Sequence, residues 1–265
     1  MGERKKGEAS TFLEFAEELV KEAGKLALKY YGQGNPEVKF DDALVTEADW
    51  VIRDFISTSI SRQYPEHRLL GEGTTQTTYR HGSKGFQWIV DPVDGTANFQ
   101  AGIPIWGISL ALYENFWPIL GLFHMPVTGD VYKALAGRTL MVNDTPLTSR
   151  PEIVASNESV LLTYSRFHNE FRSSFPGKIR NLGSTAAHLS YVASARAEAA
   201  LLKYVHIWDL AAGQILLEAV GGEIRYLDGK TFHLNDFLDG QKVAEPLLAA
   251  PSGEHGLITQ YLELS

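Results

Sequence analysis

Two carboxylates, Asp91 and Asp94, stand three residues apart at the end of the apolar run Trp88-Ile89-Val90. Carboxylate oxygens are hard ligands, and a pair at this spacing can share one or two divalent cations. Gly95 and Thr96 follow and open what reads as a short helix towards Phe99. The first N–H groups of a helix have no partner within it, and its dipole is positive at that end, so phosphate is attracted there. Cations and anion-binding amides meeting at one point describe a phosphoryl-transfer site. The same residue types, Asp-Pro-Val-Asp-Gly, also make an ordinary turn between two elements. Because proline cannot donate to a strand ladder, the strand is predicted to stop at Asp91-Pro92.

Three more carboxylates sit where elements begin or end. Glu72 closes the apolar run Leu69-Leu70 and lies in a Gly-flanked turn. Asp49 falls in the first turn of a predicted helix capped by Thr46, where an acid is also explained by the helix dipole. Asp209 opens the run Trp208-Asp209-Leu210-Ala211-Ala212-Gly213, again as a cap or first-turn residue. The eight histidines show no metal-ligand spacing, and with no cysteine the chain has neither thiol nucleophile nor thiolate site.

The elements that must position these acids follow from periodicity. Thr11 to Tyr31 is a predicted amphipathic helix with Phe12, Phe15, Ala16, Leu19 and Ala23 on one face and a Thr11/Glu14 capping box. A second helix buries Ile52, Phe55, Ile56 and Ile60. Strands are expected over 105–113, 118–123, 131–136 and 139–142, with a turn at Asn143-Asp144. The second half alternates: a strand over 160–163, a helix over 166–175, a strand over 178–182, a helix from 183 to 195, a strand over 198–203 and a helix from Trp208 that stops at Gly221-Gly222. A strand over 247–250 and a helix over 256–264 complete it. Arg150-Pro151 is the expected boundary between an N-terminal lobe, 1–150, and a C-terminal lobe, 151–265.

With 265 residues, 44% hydrophobic and 21% charged, the chain can bury a large core. A net charge of −8 argues against nucleic acid as partner. No apolar run is long enough to span a bilayer, and the N-terminus lacks the apolar stretch of a signal peptide, so a cytoplasmic protein with no membrane partner is expected.

Taken in order, Lys39 to Asp49, Gly71-Glu72, Asp91 to Phe99 and Trp208 to Gly222 resemble the motifs of the inositol monophosphatase family of metal-dependent, lithium-sensitive phosphatases. The resemblance covers nearly the whole chain. It implies a layered α-β-α-β-α sandwich of two intimate lobes, the sugar phosphatase fold, and a homodimer. It further implies two to three magnesium ions. Glu72, Asp91 and the Val93 carbonyl would hold the first, and Asp91, Asp94 and Asp209 the second, with a third near Glu72. A hydroxyl matching Thr96, paired with a carboxylate matching Asp49, would orient the attacking water. Backbone N–H groups of Gly95 and Thr96 would hold phosphate oxygens. Lys39, Asp41 and Asp42 would lie on a mobile loop, although a solvated loop explains the same residues. The implied reaction is hydrolysis of a small-molecule phosphate ester by metal-activated water.

Two departures stand out. Where the family usually carries two consecutive acids, this chain has Glu72-Gly73, which predicts a greater magnesium requirement. Inositol-specific members carry a glutamate seven residues before the residue matching Asp209; here it is Leu202. An apolar residue cannot select for a hydroxyl. Ser184, Thr185 and Lys203 are candidate contacts on the leaving-group side, with helix capping and surface charge as the plainer explanation. The leading substrate is a polyol or sugar phosphate. Histidinol phosphate, fructose 1,6-bisphosphate and 3′-phosphoadenosine phosphates are the alternatives. A catalytically weak protein-binding member is the reading of another class.

Overall fold

In the computed structural model, residues 3–33, 37–38, 44–45, 47–72, 85–147, 152–237 and 240–265 are described. The expected mobile-loop residues Lys39, Asp41 and Asp42, the cap Thr46, Gly73 and the boundary Arg150-Pro151 all lie outside them.

The first half runs α1 (Glu3–Ala27), β1 (Glu37–Val38), β2 (Leu44–Val45), α2 (Glu47–Gln63), β3 (Arg68–Gly71), β4 (Phe86–Asp94), α3 (Thr96–Ala101), β5 (Gly107–Glu114), β6 (Trp117–Met125), β7 (Asp130–Leu135), β8 (Leu140–Val142) and β9 (Thr145–Leu147). Strands β3 to β9 form a seven-stranded sheet in chain order. Only β3 and β4 are parallel; the other pairs are antiparallel.

The second half runs β10 (Val160–Thr163), β11 (Phe171–Ser173), β12 (Lys178–Arg180), α4 (Thr185–Ala193), β13 (Ala199–Leu202), α5 (Ile207–Glu218), β14 (Gly222–Tyr226), β15 (Leu247–Pro251), α6 (His255–Thr259) and β16 (Leu262–Leu264). Its five-stranded sheet has the order β12-β10-β13-β15-β14.

Side-chain alternation explains the layering, because neighbouring residues of a strand face opposite sides. In β5, Ile108, Leu110 and Leu112 pack with Ala16, Val20 and Ile52 of α1 and α2, while Ala111 and Tyr113 face α4 and α5. In β13, Ala200 and Leu202 face α4 and α5, while Ala199 and Leu201 face Ile258 of α6. The order is therefore α1 and α2, large sheet, α4 and α5, small sheet, α6, the layered sandwich that the family resemblance implies. Both sheets are covered on both faces, which is why their strands are apolar almost throughout.

Several expectations need correction. The first helix begins at Glu3 rather than Thr11, and the Thr11 hydroxyl donates to the Gly7 carbonyl one turn back at 3.1 Å instead of capping. Strand β4 does not stop at Asp91-Pro92. It continues to Asp94 through a register shift between the Asp91–Ser109 and Asp94–Gly107 pairs, and a bulge tolerates the residue that cannot donate. The helices expected over 166–175 and 256–264 are each a short turn of helix followed by a strand. One cause accounts for both: β11 and β16 pair with each other, Phe171 opposite Leu264, and distant pairing overrides local propensity. Strands β9 and β14 have no counterpart in the sequence expectations.

Candidate active site

Strand β4 delivers the central acids. From Trp88 to Asp94 it is buried, between β3 and β5. Gly71 lets β3 approach it, since a Cβ there would lie 2.3 Å from the Val90 carbonyl oxygen. At its end Asp91 accepts a hydrogen bond from the Val93 N–H at 3.1 Å, which turns the chain. Gly95 then takes φ 97°, a conformation that favours glycine, and precedes α3. The Thr96 hydroxyl donates to the Val93 carbonyl at 3.1 Å. As the first residue of α3, Thr96 has no helical acceptor for its own N–H.

Asp94 links the large sheet to the start of α4. It accepts hydrogen bonds from the Ser184 hydroxyl, from the Ala186 N–H at 2.8 Å and from the Thr185 N–H at 3.1 Å. The Ser184 hydroxyl in turn accepts from the Ala187 N–H and caps α4. The plainer explanation for Ser184 is thus realised, and the cap is also the partner of a site acid. Asn98, to which the sequence argument gave no role, donates to both the Ile105 and Leu182 carbonyls at 2.6 Å. That pair of bonds fixes the start of α4 against α3.

Asp209 arrives from α5. Its carboxylate accepts from the His206 N–H at 2.8 Å. The His206 ring stacks on Trp208 and its Nδ1 meets the Gly240 carbonyl at 3.1 Å, as befits a structural histidine. Helix α5 lies close on the large sheet: a Cβ at Gly121 would be 2.6 Å from the Ala212 carbonyl oxygen. The Ser109 and Tyr113 hydroxyls donate to the Trp208 and Ala211 carbonyls. Asp49 is buried in the first turn of α2, and Glu72 follows β3, its carbonyl accepting from Arg53 at 3.3 Å.

These acids act on one another. Burial, followed by the charges of Asp94, Asp209, Glu72 and Asp49, raises the carboxyl of Asp91 well above the usual range. Burial raises Asp94, against the opposing bonds from Ser184, Ala186 and Thr185. Burial and then Asp94 raise Asp209, although part of that residue's surface remains open to the cavity. Removing water disfavours the charged form, and a like charge nearby disfavours it again. The five acids named from the sequence are therefore brought into one electrostatic group. Among the described residues, no three acidic or histidine side chains converge tightly enough to enclose an ion as they stand.

A cavity of about 260 Å³ opens beside Asp209, lined by Ser184, Thr185, Leu202 and Lys203 among others. The three candidate leaving-group residues Ser184, Thr185 and Lys203 thus meet at one cavity, together with Leu202. Lys203, however, is engaged with Glu170 in an ion pair. Tyr164, Asn181 and Tyr204 also line the cavity and were missed, because lone polar and aromatic residues at strand ends carry no pattern. Burial and then Glu170 push the Tyr164 hydroxyl up to about 12.

The acid group at the end of β4 and the cavity beside Asp209 lie inside layered helices and sheets. The chain belongs to the inositol monophosphatase family, whose model matches residues 8–264. It is 34% identical over 220 residues to a histidinol-phosphatase of Chlorobaculum parvum, covering 79% of this chain and 83% of that one. It is 30% identical over 260 residues to an inositol-1-monophosphatase of Bacillus subtilis, covering 94% and 96%. The fold matches that of an IMPase from Thermotoga maritima with a TM-score of 0.80 and 26% identity, over 94% of this chain and 96% of that one. The protein is accordingly a phosphoric monoester hydrolase.

Proposed function

We propose that this chain hydrolyses a small phosphate monoester with magnesium as cofactor, the reacting phosphate lying between Asp91, Asp94 and Asp209. The supporting observation is the electrostatic group itself. The charges that act most strongly on Asp91 and Asp209 all belong to acids. Buried like charges need a counter-ion, and an all-oxygen donor set without histidine suits magnesium rather than zinc. The donors thus fit the metal that the family resemblance implies. Glu72, Asp91, Asp94, Asp209 and the Val93 carbonyl would hold two to three ions.

When bound, such ions polarise the phosphoryl oxygens and lower the pKa of water. The chain's own residues do the rest. Asp49 and the Thr96 hydroxyl orient the attacking water. The Gly95 and Thr96 N–H groups hold phosphate oxygens. Asp94, anchored by three bonds to the Ser184-Thr185-Ala186 turn, keeps the leaving-group wall in register with β4. The names of the relatives span inositol, histidinol and fructose phosphates, so they support the chemistry without choosing the alcohol.

Phosphate release from a panel of monoesters, with and without magnesium, tests this reading, with Asp209→Asn as control. Magnesium-dependent release that the variant loses is the expected result. Release that survives both chelation and the variant would sink it. Lithium inhibition, a homodimer, a cytoplasmic location and the division into lobes 1–150 and 151–265 belong to the same proposal. Sedimentation of the purified protein checks the dimer directly.

A further inference from the structure

One wall of the cavity beside Asp209 is the short segment 181–185, which joins β12 to α4. It lies directly against the turn at Gly95. A Cβ on Gly95 would stand 3.2 Å from the Gly183 carbonyl oxygen and 3.2 Å from the Ser184 Cβ. In the same way, a Cβ on Gly183 would stand 2.8 Å from the Asn98 side-chain nitrogen. The turn proposed above to hold phosphate and the wall of the alcohol side are therefore in contact. Whatever holds the wall sets their separation.

A segment outside helix and sheet has no backbone ladder, so its buried polar groups must find other partners. Here two side chains supply them. Asn98, on α3, donates from Nδ2 to the Leu182 carbonyl at 2.6 Å. His188, on α4, accepts the Leu182 N–H through Nε2 at 3.0 Å. Both polar groups of the Leu182 backbone are thus clamped, each from a different helix. His188 is buried and borders the cavity. Burial disfavours its charged form, which leaves a neutral ring. A neutral imidazole that accepts at Nε2 carries its proton on Nδ1. The other end of the wall has its own anchor, because Ser184, Thr185 and Ala186 all donate to Asp94. Loss of the clamp would therefore release 181–183 and leave Asp94 in place.

We infer that Asn98 and His188 are positioning residues of the reaction: by clamping the Leu182 backbone they fix the alcohol-side wall against the phosphate-holding turn at Gly95 and Thr96. This inference rests on the hydrolase reading above. Both residues act through the wall. An ester spans the two surfaces at once, its phosphoryl group on the turn and its carbon skeleton on the wall. A shifted wall therefore turns the scissile bond away from the attacking water, and a displacement of about 1 Å can cost on the order of 100-fold in rate. Inorganic phosphate meets the turn and the ions without needing the wall. Loss of the clamp should thus separate the two, weakening the ester and sparing phosphate. At position 188 the acceptor matters, and the ring does not.

The test measures kcat and KM of the magnesium-loaded protein for glycerol 2-phosphate, together with the inhibition constant of inorganic phosphate. His188→Leu removes the acceptor and keeps an apolar body in the buried site. It should raise the ester's KM about fivefold and lower kcat/KM at least roughly tenfold, while the phosphate constant moves less than about twofold. Asn98→Ala should act in the same direction. His188→Gln offers an amide oxygen as acceptor and should return kcat/KM to within about threefold of the parent. A loss of folded protein alone would lower kcat and leave KM unmoved, so the rise in KM marks a displaced wall. The unaltered protein gives a second reading that no folding defect can disturb. In its imidazole nitrogen NMR spectrum at pH 7, with the His188 signals identified by their absence in His188→Gln, the proton should sit on Nδ1. A proton on Nε2, an ester KM indifferent to His188→Leu, or equal losses for ester and phosphate would overturn the inference and leave the hydrolase reading standing. A parent protein that releases no phosphate with magnesium would overturn both.

Discussion

Two clusters of charge lie on opposite faces of the large sheet, and the protein treats them differently. Beside α1, the Lys133 ammonium reaches Glu17 at 2.6 Å and Asp144 at 2.5 Å. Those bonds lower the carboxyls of Glu17 and Asp144 despite the burial of Glu17, and the same contacts raise Lys133. At the end of β4, burial raises Asp91, Asp94 and Asp209 alike, and the charges of neighbouring acids raise Asp91 and Asp209 further. The first cluster is complete within the chain and serves stability. The second gathers acids whose charged forms burial disfavours and no cation among the described residues offsets, an arrangement that stability alone would not favour.

The comparison can be broken most sharply at Asp209. Asp209→Asn should lower magnesium-dependent phosphate release at least about 100-fold, the scale of losing one well-placed electrostatic contact to a transition state. Near-normal turnover in that variant would make the acid cluster structural after all.

A buried base between the two sheets gives the next largest effect. His188 accepts the Leu182 N–H at 3.0 Å through Nε2, and burial lowers it from 6.5 to about 4. Because the folded value is depressed, the unfolded chain binds the extra proton first as pH falls. The stability that neutral His188 contributes is thus complete above about pH 6.5 and is lost progressively towards pH 4, where the loss reaches about 3 kcal/mol. Urea titrations at pH 7 and pH 4.5 should show it, and His188→Gln should flatten the difference.

Smaller effects sharpen the contrast between the clusters. Lys133→Met should destabilise by about 1–2 kcal/mol, because it leaves the half-buried Glu17 without its main partner. Asp91→Asn should do the reverse in magnesium-free buffer. It removes one like charge while the amide oxygen can still accept from Val93, and each pKa unit of repulsion relieved is worth about 1.4 kcal/mol. Thermal melts with and without magnesium decide this: a rise in the metal-free melting temperature is expected, together with loss of the stabilisation that magnesium confers on the parent. A metal-free melting temperature that falls would show that these acids are held by partners within the chain. The smallest effect concerns Gly73. Gly73→Glu should shift the magnesium titration to lower concentration by a few-fold, about 1 kcal/mol for one added carboxylate near the ions. A titration unmoved by the change would count against the predicted magnesium requirement.

The candidate acids were legible from sequence because each closes or opens a strongly patterned element. Asp91 ends an apolar run, Glu72 does the same, and Asp49 and Asp209 stand in first helical turns. Less was legible where long-range pairing decided. The β11–β16 ladder joins residues 171 and 264, and no local pattern announces it. Pro92 marked a stop locally, yet the flanking strands carried β4 past it through a bulge.

By itself the sequence determined the chemistry on offer: hard oxygen donors without thiol or paired histidine, a glycine turn after Asp94, and an apolar Leu202 on the alcohol side. Only the tertiary structure decided what those groups do to each other. It spent Ser184 on capping α4 and binding Asp94, and it tied Lys203 to Glu170 and Tyr204. It also brought Tyr164 and Tyr204 into one corner from strands forty residues apart in sequence. The physical reason is range: capping, burial and turn chemistry act within a few residues, whereas charge repulsion and ring packing act between whatever the fold makes neighbours.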